Sequence, residues 1–178
     1  MPYSLDNLLP PFIAFVLTYA LCTLLYKTRL ADFFSDAVGG KKLHKNPVPA
    51  SGGIALVLGI FGASVWFYTD FLLSEKWLFL GLTGIFILGL IDDLKPLGWL
   101  PKLIAQLLII SAVVVLAEVR LETVLFEDRF MLMPYWLSVL SSIVILTFGT
   151  NAFNFIDGSD GLAALVALTA ILGMLFFQ

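Results

Sequence analysis

Long apolar runs separated by short polar segments dominate the chain. Six of them approach the length needed to cross about 30 Å of hydrocarbon: residues 8–26, 53–68, 77–91, 103–119, 135–148 and 162–177. No ionisable residue lies in the middle of any run. The pattern predicts an all-α fold, a polytopic membrane protein of about six transmembrane helices forming one domain over 1–178. Several runs are at the short end of spanning length, so flanking residues are expected to extend the helices. The first run reads as an anchor rather than a cleavable signal peptide, because residues 1–7 hold no Lys or Arg and no small-residue cleavage site follows.

Composition points the same way. Hydrophobic residues make up 60% and charged residues 13%, against about a quarter charged in an ordinary globular domain. Mean hydropathy is +1.00. A globule of 178 residues has too little interior to hide that much apolar surface, which leaves the bilayer as solvent. A net charge of −3 provides no basic stripe for a phosphodiester backbone, so no nucleic-acid partner is expected. The single cysteine, Cys22, and single histidine, His44, exclude an intrachain disulfide, a Cys-based zinc site and a His-triad metal site. They also make a Ser-His-Asp triad a poor fit.

Basic residues set the expected orientation. Segments 27–51, 92–102 and 151–161 share one side and hold seven Lys or Arg, whereas 1–7, 69–76 and 120–134 hold three. The positive-inside bias places the N-terminus outside and the first three segments in the cytoplasm. Acidic residues on the outer side are scattered among other charges. On the cytoplasmic side they group at run ends as Asp92-Asp93 and as Asp157 with Asp160. Carboxylates at a membrane edge are costly and point to function. With no mid-span charge, a surface-facing site fits better than a transport path. The last run is only about 24 Å long at ~1.5 Å per residue, with no polar anchor after it. The expectation is that the chain is the front of a larger bundle; the alternative is a complete six-helix protein with a tilted or re-entrant last helix.

Three polar segments carry the candidate chemistry. In 151–161, Asn151, Asn154, Asp157 and Asp160 recur every three residues, with Gly158 and Gly161 between and after the carboxylates. On a helix that spacing puts successive side chains on neighbouring faces, and glycine lets backbone approach a ligand. Amide and carboxylate oxygens are the hard donors Mg²⁺ prefers, completed by water and substrate phosphates. The competing reading is a turn that caps two helices, with Asp160 as N-cap. In 92–102, Asp92 and Asp93 directly follow an apolar run. Neighbouring positions do not share a helical face, so one carboxylate faces a ligand and the other orients a neighbour. Their mutual repulsion calls for a cation, from Lys95, Lys102 or a metal; the competing reading is an ordinary charged helix end. Trp99 fits an interfacial anchor better than a stacking platform.

The segment 41–53 holds the basic cluster Lys41, Lys42 and Lys45 around His44. It reads either as positive-inside topology touching anionic lipid or as an attractor for a polyphosphate substrate. Ser51, Ala55, Gly59 and Ala63 recur every four residues, a helix-packing stripe rather than a site.

Taken together, a Lys-x-x-His-x-x-Pro-x-Pro…Gly-Gly segment, Asp92-Asp93 with Lys102 beyond, and Asn-Ala-x-Asn-x-x-Asp-Gly-x-Asp-Gly-Leu-Ala resemble the polyprenyl-phosphate N-acetylhexosamine-1-phosphate transferases. The resemblance covers nearly the whole chain but only the front half of that family's architecture of about ten spans; its downstream Gly-Asp motif and His-bearing loop are not in this sequence. It implies transfer of a sugar-1-phosphate from a UDP-N-acetylhexosamine to polyprenyl (undecaprenyl) phosphate. The products would be UMP and a lipid-linked diphosphosugar for cell-wall or surface-polysaccharide synthesis, lipopolysaccharide included. It further implies an Mg²⁺ cofactor, with Mn²⁺ as substitute, and a cytoplasm-facing active site in the inner cell membrane. Residue by residue, it makes Asn154 a metal-ligating amide and Asp157 and Asp160 parts of the nucleotide-sugar pocket. Asp92, Asp93 and Lys102 become the catalytic group around the phosphates, and Lys42, His44 and Lys45 part of the substrate-side loop. Two other readings remain: an inactive fragment or membrane scaffold, and a transporter fragment, which the lack of mid-span charge disfavours. Neither the particular sugar nor an oligomeric state follows from the residues.

Overall fold

A computed structural model describes residues 5–28, 51–126, 129–156 and 162–176. Each of the six apolar runs is helical. Two compact units share the chain, Met1–Lys102 and Leu103–Gln178.

The first unit holds α1 (Leu5–Lys27), α2 (Ser51–Phe67), the short α3 (Thr69–Ser74) and α4 (Lys76–Leu94). Its most extensive helix contact is α1 on α2, built on the predicted small-residue stripe. Ala55 is fully buried, Ala63 nearly so, and Gly59 is buried between them. A Cβ placed on Gly59 would stand 2.8 Å from the backbone nitrogen of Thr18 and collide with its Oγ1. Without a side chain there, the two backbones come within direct contact, the arrangement that lets helices associate where lipid removes the hydrophobic drive. Phe79 of α4 meets Phe61 of α2 and Phe71 of α3 edge to face, each at 5.9 Å between ring centres. Those contacts hold the reversal between α2 and α4.

The second unit contains most of α5 (Trp99–Leu116), strands β1 (Thr123–Phe126) and β2 (Arg129–Leu132), α6 (Tyr135–Ile156) and α7 (Leu162–Phe176). Helix α5 buries Gln106, Ile110 and Val114, one side chain per turn, and α6 buries Ser138, Ser142 and Thr147. Asn151 near the end of α6 donates from Nδ2 to Oε1 of Gln106 near the start of α5, at 2.9 Å. The two helices therefore run antiparallel.

Burial is inverted relative to a water-soluble protein. Among the described residues the enclosed side chains are few, half of them polar and most of them small, whereas Trp66, Leu108 and Phe148 stand 82%, 68% and 74% exposed. Large apolar surface left outward is what a lipid solvent permits and water does not.

The helix bounds differ from the apolar runs at several ends. Among the described residues, four helices (α1 from Leu8, α4, α5 and α6) are long and apolar enough to cross a membrane by length and composition, and α2 and α7 are shorter apolar helices. Helix α4 continues through Asp92 and Asp93, and α6 runs past residue 148 to Ile156, carrying Asn151 and Asn154 with it. Helix α5 starts at Trp99 and stops at Leu116, so Glu118, with a left-handed φ of 54°, lies outside it. The antiparallel hairpin β1–β2 pairs Thr123 with Leu132 and Phe126 with Arg129, a local departure from the all-α expectation. Its strands, Thr-Val-Leu-Phe and Arg-Phe-Met-Leu, are rich in β-branched and aromatic residues.

Candidate functional site

Pro96 ends α4. The residue before a proline is driven out of the helical region, and Lys95 is extended at φ −143°, ψ 97°. The chain turns through Lys95–Gly98 and re-enters helix at Trp99. Asp92, in the last turn of α4, closes this turn with both carboxylate oxygens. Oδ1 accepts the Leu97 N–H at 2.8 Å, and Oδ2 accepts from Lys102 Nζ at 2.6 Å. Both side chains are largely enclosed, Lys102 at 18% and Asp92 at 22% exposure, so the pair is shielded more than a surface ion pair. Lys102 sits in the first turn of α5, where the macrodipole disfavours a cation; Asp92 compensates. The result is an ammonium fixed beside a helix N-terminus, its charge balanced by Asp92.

Asp93 occupies the adjoining position, is exposed and makes a contact of its own. Asp92 is turned to Lys102, one of the two lysines that could answer the paired acids.

The two asparagines of α6 differ in the same way. Asn151 is half-buried; its Nδ2 reaches Gln106 and also the carbonyl of Thr147 at 2.8 Å, so it ties helices together. Asn154 is exposed and free to meet a ligand with its amide oxygen. Asp157, Asp160, Lys42, His44 and Lys45 lie outside the described residues. Among the described residues no group of three or more His, Cys, Asp or Glu is placed to hold a metal ion. Both oxygens of Asp92 are engaged, which leaves the exposed Asn154 as the described candidate donor to a metal ion. Gln106 was not singled out from the sequence. Its signal was there: it is the one amide within the apolar run 103–119, where an unpaired polar group is costly.

Membrane-length helices, inverted burial and a shielded lysine–carboxylate pair at one helix end define a helical integral membrane protein. The chain belongs to glycosyl transferase family 4, whose profile matches residues 76–178, more than half of its length and inclusive of Asp92, Lys102 and Asn154. It is similar to a probable undecaprenyl-phosphate N-acetylglucosaminyl 1-phosphate transferase of Bacillus subtilis, 28% identical over 86% of this chain and 43% of that protein. A phospho-N-acetylmuramoyl-pentapeptide-transferase of a Caulobacter species is 31% identical over 76% of this chain and 42% of its own length. An undecaprenyl-phosphate alpha-N-acetylglucosaminyl 1-phosphate transferase of Thermotoga maritima is 29% identical over 88% and 46%. The chain thus spans less than half the length of these curated relatives. No solved structure matches it at comparable stringency.

Proposed function

We propose that the protein, in the length in which cells make it, transfers N-acetylhexosamine-1-phosphate from a UDP-sugar to a polyprenyl phosphate in the inner cell membrane, at a site facing the cytoplasm. The observation that carries this reading is the 2.6 Å Asp92–Lys102 pair, set at a membrane edge inside the segment that matches the family. The relatives' names, which pair polyprenyl phosphates with sugar-phosphate transfer, support it. A lipid acceptor keeps its tail in the bilayer and its phosphate at the surface, where a soluble nucleotide sugar arrives. Two anions must then be brought together, and phosphoryl transfer is chiefly positioning and charge stabilisation.

In the proposed reaction an oxygen of the polyprenyl phosphate attacks the sugar-bearing phosphorus of the UDP-sugar. The bond from that phosphorus to the bridging oxygen breaks, and UMP leaves with the oxygen and its electron pair. A phosphate monoester is largely dianionic at neutral pH, since its second pKa is about 6, so no obligatory base is needed. Lys102 neutralises phosphate charge, and Asp92 holds Lys102 in place. With both oxygens engaged, Asp92 is poorly disposed to act as a covalent nucleophile. Asp93 faces the phosphates, Asp157 and Asp160 hold the donor, and Lys42, His44 and Lys45 draw it in. Dependence on Mg²⁺ or Mn²⁺ belongs to the same proposal, with Asn154 as its one described donor.

The test supplies the purified protein in phosphatidylcholine vesicles with undecaprenyl phosphate, Mg²⁺ and either UDP-N-acetylglucosamine or UDP-N-acetylmuramoyl-pentapeptide. UMP and a lipid-linked diphosphosugar should form with one donor and stop on chelation. Lys102→Ala should lower kcat/KM by about 100-fold, the order lost with one charge-stabilising donor. Asp160→Asn should raise KM more than it lowers kcat, and Asn154→Ala should raise the Mg²⁺ concentration required. Absence of UMP with both donors sinks the proposal.

A further inference from the structure

The hairpin between α5 and α6 is an unusual object for either water or protein packing. Pairing of Thr123 with Leu132 and Leu125 with Phe130 puts these four on one face; Val124 with Met131 and Phe126 with Arg129 form the other. Apart from Thr123 on the first and Arg129 on the second, both faces are apolar, and both are outward. Leu125, Phe130 and Leu132 are 58%, 79% and 80% exposed, and Val124, Phe126 and Met131 are 49%, 60% and 54%. A two-stranded hairpin is marginal in water on its own, and this much open apolar surface makes it worse.

Its base shows where it sits. The backbone of Leu121, two residues before β1, is tied to α6 by two buried serines. Ser142 Oγ accepts the Leu121 N–H at 2.8 Å, and Ser138 Oγ donates to the Leu121 carbonyl. Met133 N–H closes the base on the Glu122 carbonyl at 2.8 Å. Ser138 and Ser142 lie one and two turns inside α6, so Leu121 is held roughly 5–10 Å below the helix start at ~1.5 Å per residue. That start carries Tyr135 and Trp136, 61% and 66% exposed, the residue types that mark a bilayer interface. Arg120 lies 5.0 Å from the Tyr135 ring centre and 3.1 Å from Glu122. The hairpin therefore leaves a membrane-length helix at interface depth. It does not go deeper: unpaired edge N–H and C=O groups require water, and the charge of Arg129 needs it too.

We propose that Thr123–Leu132 is a lipid-docking element, lying along the headgroup–acyl boundary at the end of α5 remote from Lys102, with its uncharged Leu125–Phe130–Leu132 face toward phospholipid. The proposal rests on the two flanking helices and not on the enzymatic reading. The test places nitroxide labels singly at Leu125→Cys, Phe130→Cys and, as a lipid reference, Leu108→Cys, in full-length chain carrying Cys22→Ser and reconstituted in phosphatidylcholine vesicles. Oxygen concentrates in hydrocarbon and a nickel chelate in water, so their collision ratio reads depth. At both hairpin positions the oxygen-to-nickel ratio should be several-fold above that of the free label and below that at Leu108. A ratio equal to the free label's would place the hairpin in water and overturn the proposal. Exclusion of both agents with spin–spin broadening would overturn it in favour of a second copy. If labelled chains fail to fold, Phe130→Trp answers instead: its added fluorescence should be quenched by lipids brominated near the headgroup, and unquenched emission refutes lipid docking.

Discussion

Lys102 occupies a position that the α5 macrodipole disfavours, in the first turn of a helix and largely shielded from water. It is tolerated because Asp92 meets it directly, and Asp92 in turn is fixed by the Leu97 amide. Removing one partner of a shielded pair leaves the other exposed to the full desolvation penalty. Asp92→Ala should therefore destabilise more than Asp92→Asn, which keeps an acceptor for Leu97. A double-mutant cycle of Asp92→Asn with Lys102→Met, followed by thermal unfolding in detergent, should give a coupling of about 1 kcal/mol or more. Coupling near zero would mean that the pair orders nothing. The amide contact between Asn151 and Gln106 works by the same logic without charge, and it separates the structural asparagine of α6 from the exposed Asn154.

Helix pairing in this protein depends on what is missing from a side chain as much as on what is present. At Gly59 the space for a Cβ is already taken by Thr18 of α1, whereas at Gly89 of α4 nothing stands within 4 Å. The two glycines should answer oppositely to the same substitution. Gly59→Ala should force α1 and α2 apart and cost about 1–3 kcal/mol, the usual range for overpacking. Gly89→Ala should be neutral or stabilise by up to about 1 kcal/mol through helix propensity. Thermal unfolding of both variants is the check, and equal effects would argue that the α1–α2 contact is not as close as described. Helix ends obey local chemistry in the same way: Pro96 halts α4, and the left-handed Glu118 follows the end of α5.

Across the whole molecule, the expected sidedness rests on the asymmetry of Lys and Arg, with seven residues in 27–51, 92–102 and 151–161 and three in 1–7, 69–76 and 120–134. Asn46→Cys in a Cys22→Ser chain should therefore resist a membrane-impermeant maleimide applied to intact cells and react once the cells are permeabilised. Labelling of intact cells would reverse the orientation and put the Asp92–Lys102 end on the wrong side for a cytoplasmic nucleotide sugar. The enzymatic proposal would fall with it.

Which segments are helical and membrane-seeking was legible residue by residue, because transfer into hydrocarbon is a sum of local contributions along a run. The stripe Ala55, Gly59, Ala63 was legible for a related reason: a four-residue period of small side chains describes one helix's own surface. The motif residues were visible as well, although Asp157, Asp160, Lys42, His44 and Lys45 fall outside the described structure. Partnerships were a different matter. That Lys102 rather than Lys95 answers Asp92, that Gln106 meets Asn151 across 45 positions, and that Leu121 is pinned by Ser138 and Ser142 are properties of pairs. The hairpin escaped notice because its two faces are both apolar, so the alternation that announces a half-buried strand was never written into it. Pairwise contacts depend on distances that only the folded chain sets, and hydrophobic pattern alone carries no record of them.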